Sequence, residues 1–188
     1  RIRSGVAAAA PILDAFLDAS LEARGLPASA LALVGFSQGT MMSLFVAPRR
    51  AAQVAGVVGF SGALVGAEEL PEAAASRPPV LLVHGDADQV VPFGAMQAAE
   101  RGLSAAGIQV VAERRPGLAH SIDEPGLEKA GAFLARVQRS STRASCRAER
   151  AGAGPAPCCA SWRLGLAFSS SVASPQGGAA THAYPSAR

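Results

Sequence analysis

The stretch Ala30-Leu-Ala-Leu-Val-Gly-Phe-Ser-Gln-Gly39 decides the fold of this 188-residue chain. Its first half is a short apolar run typical of a buried strand, and residues 38–47 have the pattern of a helix. A GxSxG motif between a strand and a helix indicates a sharp turn that presents its serine, here Ser37, above the sheet edge. Gly35 and Gly39 are expected to leave room for neighbouring backbone. The backbone N–H of Gln38 begins the helix, which makes it a candidate oxyanion-hole donor.

Strand-like and helix-like segments alternate on both sides of this motif. Apolar runs predict four strands, at residues 30–34, 54–60, 80–83 and 109–113. Periodic apolar positions predict four helices, at residues 11–24, 38–47, 94–106 and about 122–138. Such alternation favours an α/β fold, in which a mainly parallel sheet has helices on both faces.

Two carboxylates follow the third predicted strand, in His84-Gly-Asp-Ala-Asp-Gln-Val-Val-Pro92. Asp86, next to Gly85, is the more obvious turn residue, and its side chain is expected to bond local backbone amides. Asp88 is therefore the better candidate for a catalytic acid. His84 is interpreted as a polar residue at the end of a strand, satisfied by the loop that follows.

A histidine, His120, follows the fourth predicted strand and precedes the last helix. A lone loop histidine carries little information, but Ser37, Asp88 and His120 each come just after a strand. Serine, acid, histidine is the chain order of α/β-hydrolases and differs from that of other serine hydrolases. The similar string at residues 59–62 has Ala63 where a final glycine would stand, so Ser61 is expected to be a loop residue lining the cleft.

The motifs Gly35-Phe-Ser-Gln-Gly-Thr40, residues 84–92 and the late His120 resemble the phospholipase/carboxylesterase family of α/β-hydrolases, which includes acyl-protein thioesterases. The resemblance covers about residues 11–138. It implies a serine hydrolase of carboxylic esters or thioesters, with Ser37 as nucleophile, Asp88 as acid and His120 as base, and with no cofactor or metal. Ala119 stands where the family usually has glycine. A dienelactone-hydrolase type is disfavoured, because its nucleophile is usually cysteine.

The family's opening strands, and the loop that supplies a second oxyanion amide, have no counterpart before the first predicted helix. We therefore expect the C-terminal part of such a domain, with residues 30–34 as an apolar, uncovered strand edge. Such an edge invites aggregation or pairing with a second chain, so a homo-oligomer is among the expected partners. A non-catalytic, truncated remnant is the alternative function.

Charge and composition divide the chain near residue 140. Residues 1–139 hold 12 Lys and Arg against 13 Asp and Glu, whereas residues 140–188 hold 5 against 1. A partial hydrolase domain is predicted for residues 1–139 and a disordered Ala/Ser/Arg/Gly/Pro-rich tail for 140–188. Docking of a partner through residues 162–168 is the competing interpretation of the tail. Arg49–Arg50 and Arg114–Arg115 are isolated pairs, interpreted as solvated surface, so nucleic acid is excluded as a partner.

All three cysteines, Cys146, Cys158 and Cys159, lie in the tail. A body without thiols suits a reducing compartment, and a cytoplasmic location is the default expectation, although a targeting peptide could precede Arg1. No run reaches about 18 unbroken apolar residues, so stable membrane insertion is not expected. The expected partner is a small-molecule ester or thioester.

Overall fold

The structure, a computed structural model, describes the backbone of residues 2–150 and the side chains of residues 2–141. Four strands are present in this part of the chain, β1 (Ala32–Phe36), β2 (Gly56–Phe60), β3 (Val80–Gly85) and β4 (Val110–Arg115). The α-helices described are α1 (Ile2–Glu22), α2 (Gln38–Arg49), α3 (Leu70–Ala73), α4 (Gly94–Ala105) and α5 (Glu124–Arg150). The predicted alternation of strands and helices is confirmed, and most bounds differ by one or two residues.

The four strands form one parallel sheet in the order β1-β2-β3-β4. The register places Phe36 beside Phe60 and Phe60 beside Val83. All four strands therefore end at the same edge of the sheet. The loops after β1, β3 and β4 carry the serine, the acids and the histidine singled out in the sequence, and this topology brings them to one place.

Each face of the sheet has its own apolar core. On one face, side chains of α1, α2, α3 and α4 pack on the sheet, and Leu44, Leu70 and Leu103 are fully buried. On the other face α5 packs alone, through Ala130, Phe133 and Val137. The two central strands, β2 and β3, are buried along their whole length because both of their faces are covered, as expected inside a parallel sheet.

Two helices are longer than predicted, and one was not predicted. Helix α1 begins at Ile2 rather than residue 11, because the alanine run before Pro11 is strongly helix-forming and Val6 is buried. Helix α5 continues past residue 138 to Arg150, and Val137 is the last buried apolar side chain among those described, which end at residue 141. Hydrophobic periodicity stops near residue 138, so it could not indicate this extension. The domain boundary near residue 140 and the nature of the tail, which lies mostly outside the described residues, stay predictions.

Helix α1 packs on the domain through an ion cluster as well as through apolar contacts. Asp14 and Asp18 both pair with Arg50, whose side chain is only 6% exposed. The interpretation of Arg50 as solvated surface is therefore wrong, because two acidic groups compensate its burial. By length and composition alone α1 could cross a membrane, a test that buried core helices and signal sequences also pass.

Strand β1 lies at one edge of the sheet. Within the described residues it pairs only with β2, and Val34 in its middle is 57% exposed. Ile12 and Phe16 of α1 are also exposed. The part of the chain that the structure describes thus has the apolar, open strand edge that the sequence led us to expect.

Candidate active site

The serine of the GxSxG motif lies on a strained turn between β1 and α2. Ser37 has φ 51° and ψ −113°, a left-handed backbone that non-glycine residues rarely adopt. A Cβ on Gly35 would lie 2.4 Å from the backbone of Gly39 and Thr40, so that position requires glycine. A Cβ on Gly39 would meet no described atom within 4 Å, so the close approach expected at Gly39 is not found.

A buried threonine, Thr40, holds this turn against the neighbouring strand. Its Oγ1 lies 2.9 Å from the carbonyl oxygen of Gly35 and 2.8 Å from that of Phe60. The backbone N–H of Ser37 donates to the same Phe60 oxygen at 2.8 Å. The ends of β1 and β2 are thereby tied together directly under Ser37.

Two glycines, one in β2 and one just after it, make room for Thr40. A Cβ on Gly59 or Gly62 would lie 2.5 or 2.4 Å from the Thr40 side chain. The second glycine-serine string in the sequence is explained by this packing. The role of Thr40 was missed from the sequence, and the paired glycines at 59 and 62 were the signal that pointed to a packed neighbour.

Ser37, His120 and Asp88 form a continuous hydrogen-bonded line. The Nε2 of His120 lies 3.0 Å from the Oγ of Ser37, and its Nδ1 lies 2.7 Å from Oδ2 of Asp88. Because Nδ1 faces a carboxylate, the imidazole carries its hydrogen there and leaves Nε2 to accept from the serine hydroxyl. The structure thus brings together the three residues that the sequence singled out.

Asp88 is the buried member of this line. Its side chain is fully buried, which opposes ionisation, but hydrogen bonds from His120 and from the backbone N–H groups of Val91 and Val90 outweigh this cost. The pKa of the Asp88 carboxyl is therefore lowered. Asp88 is an anion at neutral pH and fixes the orientation of the imidazole.

The two aspartates of the β3–α4 loop divide their partners differently from the sequence expectation. It is Asp88 that accepts the local amides, since its Oδ1 lies 2.8 Å from the N of Val90 and 2.9 Å from that of Val91. Asp86 instead reaches the loop after β4, where it accepts from Gly117 N at 2.7 Å and Arg114 Nε at 2.8 Å. These bonds from Arg114 and Gly117 lower the pKa of Asp86.

The loop that carries His120 is fixed at both ends. Next to Asp86, a Cβ on Gly85 would lie 2.0 Å from the carbonyl oxygen of Leu118, so the acid loop and the histidine loop are in backbone contact. Arg115, before His120, pairs at 2.8 Å with Asp123, which follows His120. This ion pair lowers the pKa of the Asp123 carboxyl. Arg115 is therefore a structural residue, whereas Arg114 is 63% exposed, as expected.

Three other predicted or neighbouring residues have clear positions. The ring of Phe36 lies against the imidazole of His120, with 4.9 Å between ring centroids. Ser61 does not line a cleft, because it is 1% exposed, with φ 48° and an Oγ that has no partner among the described residues. His84 is satisfied by the following loop as predicted, through the carbonyl oxygen of Val91.

Gln38 is the residue whose backbone N–H the sequence predicted as an oxyanion-hole donor. It is the first residue of α2, so its backbone N–H has no acceptor within that helix. The described residues contain no group of three or more His, Cys, Asp or Glu side chains placed to hold a metal ion. A cavity of about 830 Å³ lies at the opposite edge of the sheet, near Gln53, Gln109 and Arg136, and contains none of the triad residues.

Comparison with known proteins gives the same family along most of the chain. Esterase YpfH of Escherichia coli is 33% identical over 104 residues, which cover 55% of this chain and 44% of that protein. Acyl-protein thioesterase 1 of Schizosaccharomyces pombe is 36% identical over 92 residues, covering 47% of this chain and 41% of that protein. The chain thus spans less than half the length of these two relatives.

Solved structures agree with the sequence relatives. The crystal structure of esterase PE8 superposes with a TM-score of 0.70 at 40% identity, over 72% of this chain and 63% of that one. Arabidopsis thaliana SOBER1 superposes with a TM-score of 0.67 at 28% identity, over 72% and 65% of the two chains. The sequence profile described as phospholipase/carboxylesterase matches residues 1–138. With an α/β-hydrolase fold and this match, the chain belongs to the phospholipase/carboxylesterase family.

Proposed function

We propose that this chain carries the catalytic residues of a serine hydrolase that cleaves carboxylic esters or thioesters through an acyl-enzyme. The observation that carries the proposal is the line of hydrogen bonds from Ser37 Oγ through His120 to the buried Asp88 carboxylate. A strained nucleophile turn at the start of a helix supports it independently. The residues of the hydrogen-bonded line are far apart in sequence, by 32 and 83 residues, which makes an accidental arrangement a poor explanation.

The first half of the reaction is acylation of Ser37. His120 Nε2 takes the Ser37 Oγ proton as Oγ bonds to the substrate carbonyl carbon, while Asp88 stabilises the imidazolium. The negative charge that develops on the carbonyl oxygen faces the N–H of Gln38. When the carbon–oxygen or carbon–sulfur bond breaks, His120 returns its proton to the leaving alkoxide or thiolate.

Deacylation runs the same steps with water. His120 takes a proton from water, whose oxygen attacks the acyl carbon, and then protonates Ser37 Oγ as the carboxylic acid is released. No redox or group-transfer cofactor takes part in this sequence. The substrate is a small-molecule ester or thioester, in line with the esterase and acyl-protein thioesterase among the relatives.

The rate of the chain by itself is expected to be low. Gln38 supplies one oxyanion donor, and loss of one such donor typically costs about 10²–10³ in rate. The relatives are more than twice as long as the segments they share with this chain.

A second copy paired along the open β1 edge is the form of homo-oligomer that we propose, and the cytoplasmic location stays a prediction.

The test is covalent labelling with a fluorophosphonate probe, which reports an activated serine without requiring turnover. We expect labelling at Ser37, located by mass spectrometry of the peptides. Ser37→Ala should abolish it, and Ser61→Ala is the matched control at a buried serine that also has a positive φ. Labelling that persists in Ser37→Ala would refute the assignment of the nucleophile, and an unlabelled wild-type chain would favour the non-catalytic remnant.

A further inference from the structure

A second histidine, His84, lies directly behind the catalytic acid and has no part in the mechanism above. It is the fifth residue of β3, and its side chain is 1% exposed. Its Nε2 lies 2.8 Å from the carbonyl oxygen of Val91 and 3.3 Å from Oδ2 of Asp88. The same Oδ2 faces Nδ1 of His120 at 2.7 Å.

The surroundings of His84 fix its tautomer. Both atoms near Nε2, a carbonyl oxygen and a carboxylate oxygen, are acceptors that cannot donate a hydrogen bond. Nε2 must therefore carry a hydrogen, which is directed at Val91 and lies close to Asp88. The ring of Phe93 packs against the His84 ring in a T-shaped geometry, with 6.2 Å between the ring centroids.

His84 closes a ring of contacts around the acid loop. Nε2–H donates to the carbonyl oxygen of Val91, and the N–H of Val91 donates to Oδ1 of Asp88 at 2.9 Å. The ring is completed by the 3.3 Å contact between Nε2 of His84 and Oδ2 of Asp88. His84 thereby bonds to the turn at Val91, whose N–H binds Oδ1 of Asp88. The His84 ring also lies close to Oδ2 of the same carboxylate.

We propose that His84 is a positioning residue that holds the Asp88 carboxylate in the orientation required by His120. The acid of the triad then has two imidazoles on one oxygen, one that reacts through Ser37 and one that stays buried with a hydrogen on Nε2. The catalytic consequence rests on the function proposed above, but the arrangement itself does not. By analogy with the outer hydrogen-bonding partners of metal ligands, we expect its loss to cost about 10- to 100-fold in activity.

The inference is tested by nitrogen and proton NMR of the histidines in the 188-residue chain. The sequence has only three, the third being His182, so the ring signals can be assigned with His120→Gln and His84→Gln. In the wild-type chain we expect His84 to carry its hydrogen on Nε2, and the Nδ1 proton of His120 to resonate far downfield because of its short bond to Asp88. A hydrogen on Nδ1 of His84, or no downfield His120 proton, would overturn the inference without any variant.

Two substitutions separate the donated hydrogen from the bulk of the ring. Gln can place an N–H near the former Nε2, whereas Leu fills similar volume without a donor. His84→Leu should lose the downfield His120 signal and slow fluorophosphonate labelling of Ser37 about 10- to 100-fold. His84→Gln should recover the signal and most of the lost rate.

The outcomes of the two measurements are distinguishable. If Gln behaves like Leu, or if Leu keeps the downfield signal, His84 only fills space and the inference fails. If the downfield signal depends on the donor at position 84 but wild-type Ser37 is never labelled, the positioning role holds and the proposed function fails. Labelling is compared at a temperature where circular dichroism shows every variant folded.

Discussion

Replacement of Thr40 by valine should weaken the hydrogen bonding that holds the nucleophile turn, while the shape of the side chain at position 40 is nearly unchanged. Valine keeps the branched volume that packs against Gly59 and Gly62 but removes Oγ1, which lies 2.8–2.9 Å from two carbonyl oxygens. A hydroxyl has one hydrogen to share, and the Phe60 oxygen keeps its bond from Ser37 N, so about one hydrogen bond is lost. The Gly35 oxygen also faces Phe60 N in the β1–β2 ladder, so the net cost is that of one hydrogen bond, about 0.5–1.5 kcal/mol.

The assay is urea unfolding of Thr40→Val beside Thr40→Ser, followed by circular dichroism. Circular dichroism is chosen because the single tryptophan, Trp162, lies outside the described residues. Thr40→Ser keeps the hydroxyl and loses one buried methyl, worth about 1 kcal/mol. The two variants should therefore have comparable stability, but only Thr40→Val should slow labelling of Ser37. Equal labelling rates in both would refute the argument that Oγ1 positions the nucleophile.

Three further predictions concern the loops around the triad. Gly35→Ala should destabilise the chain and abolish labelling because its Cβ would lie 2.4 Å from backbone, whereas Gly39→Ala should leave the unfolding free energy unchanged or slightly raised; equal losses of stability, measured in urea, would contradict the geometry of the turn. Asp88→Asn should reduce labelling or ester hydrolysis by on the order of 10⁴, by analogy with other triads, and Asp86→Asn far less, since its partners are Gly117 and Arg114. Equal losses of activity in folded Asp86→Asn and Asp88→Asn would show that the wrong acid was chosen. The pKa values of Asp86, Asp88 and Asp123 are all lowered from their ordinary 3.8, so the stability they contribute is fully present above that pH and is lost as pH falls through the lowered values; unfolding followed from pH 7 to pH 2 should show this decline, and Asp123→Asn should reduce it.

The open strand edge agreed with the expectation, whereas the burial of one arginine did not. The edge at β1 was predicted from the missing neighbours, and exposure of Val34 agrees with it. The burial of Arg50 was not predicted, because its partners Asp14 and Asp18 lie on α1, more than 30 residues away. Two consecutive arginines in a sequence do not indicate whether acidic side chains of another helix will pair with them.

Much of the fold was determined by the sequence alone. Short apolar runs between glycines, prolines and amphipathic stretches indicate alternating strands and helices, because each pattern reflects local burial and backbone preference. In a parallel sheet the strand ends must share one edge, so the order Ser37, Asp88, His120 already predicted which residues would meet. The sharp turn at Ser37 was predicted from the GxSxG motif between a strand and a helix, which is a local pattern.

Only the tertiary structure decided how these residues are held. Thr40 reaches a carbonyl 20 residues away, and Asp86 reaches an amide 31 residues away. His84 contacts Val91 and Asp88 only because the loop between them folds back on β3. Hydrogen bonds of this kind require separate segments to be placed to within a few tenths of an ångström. A residue's type and its neighbours in sequence do not specify that placement. The chemistry of the site was therefore legible in the chain, and its supports were fixed by packing.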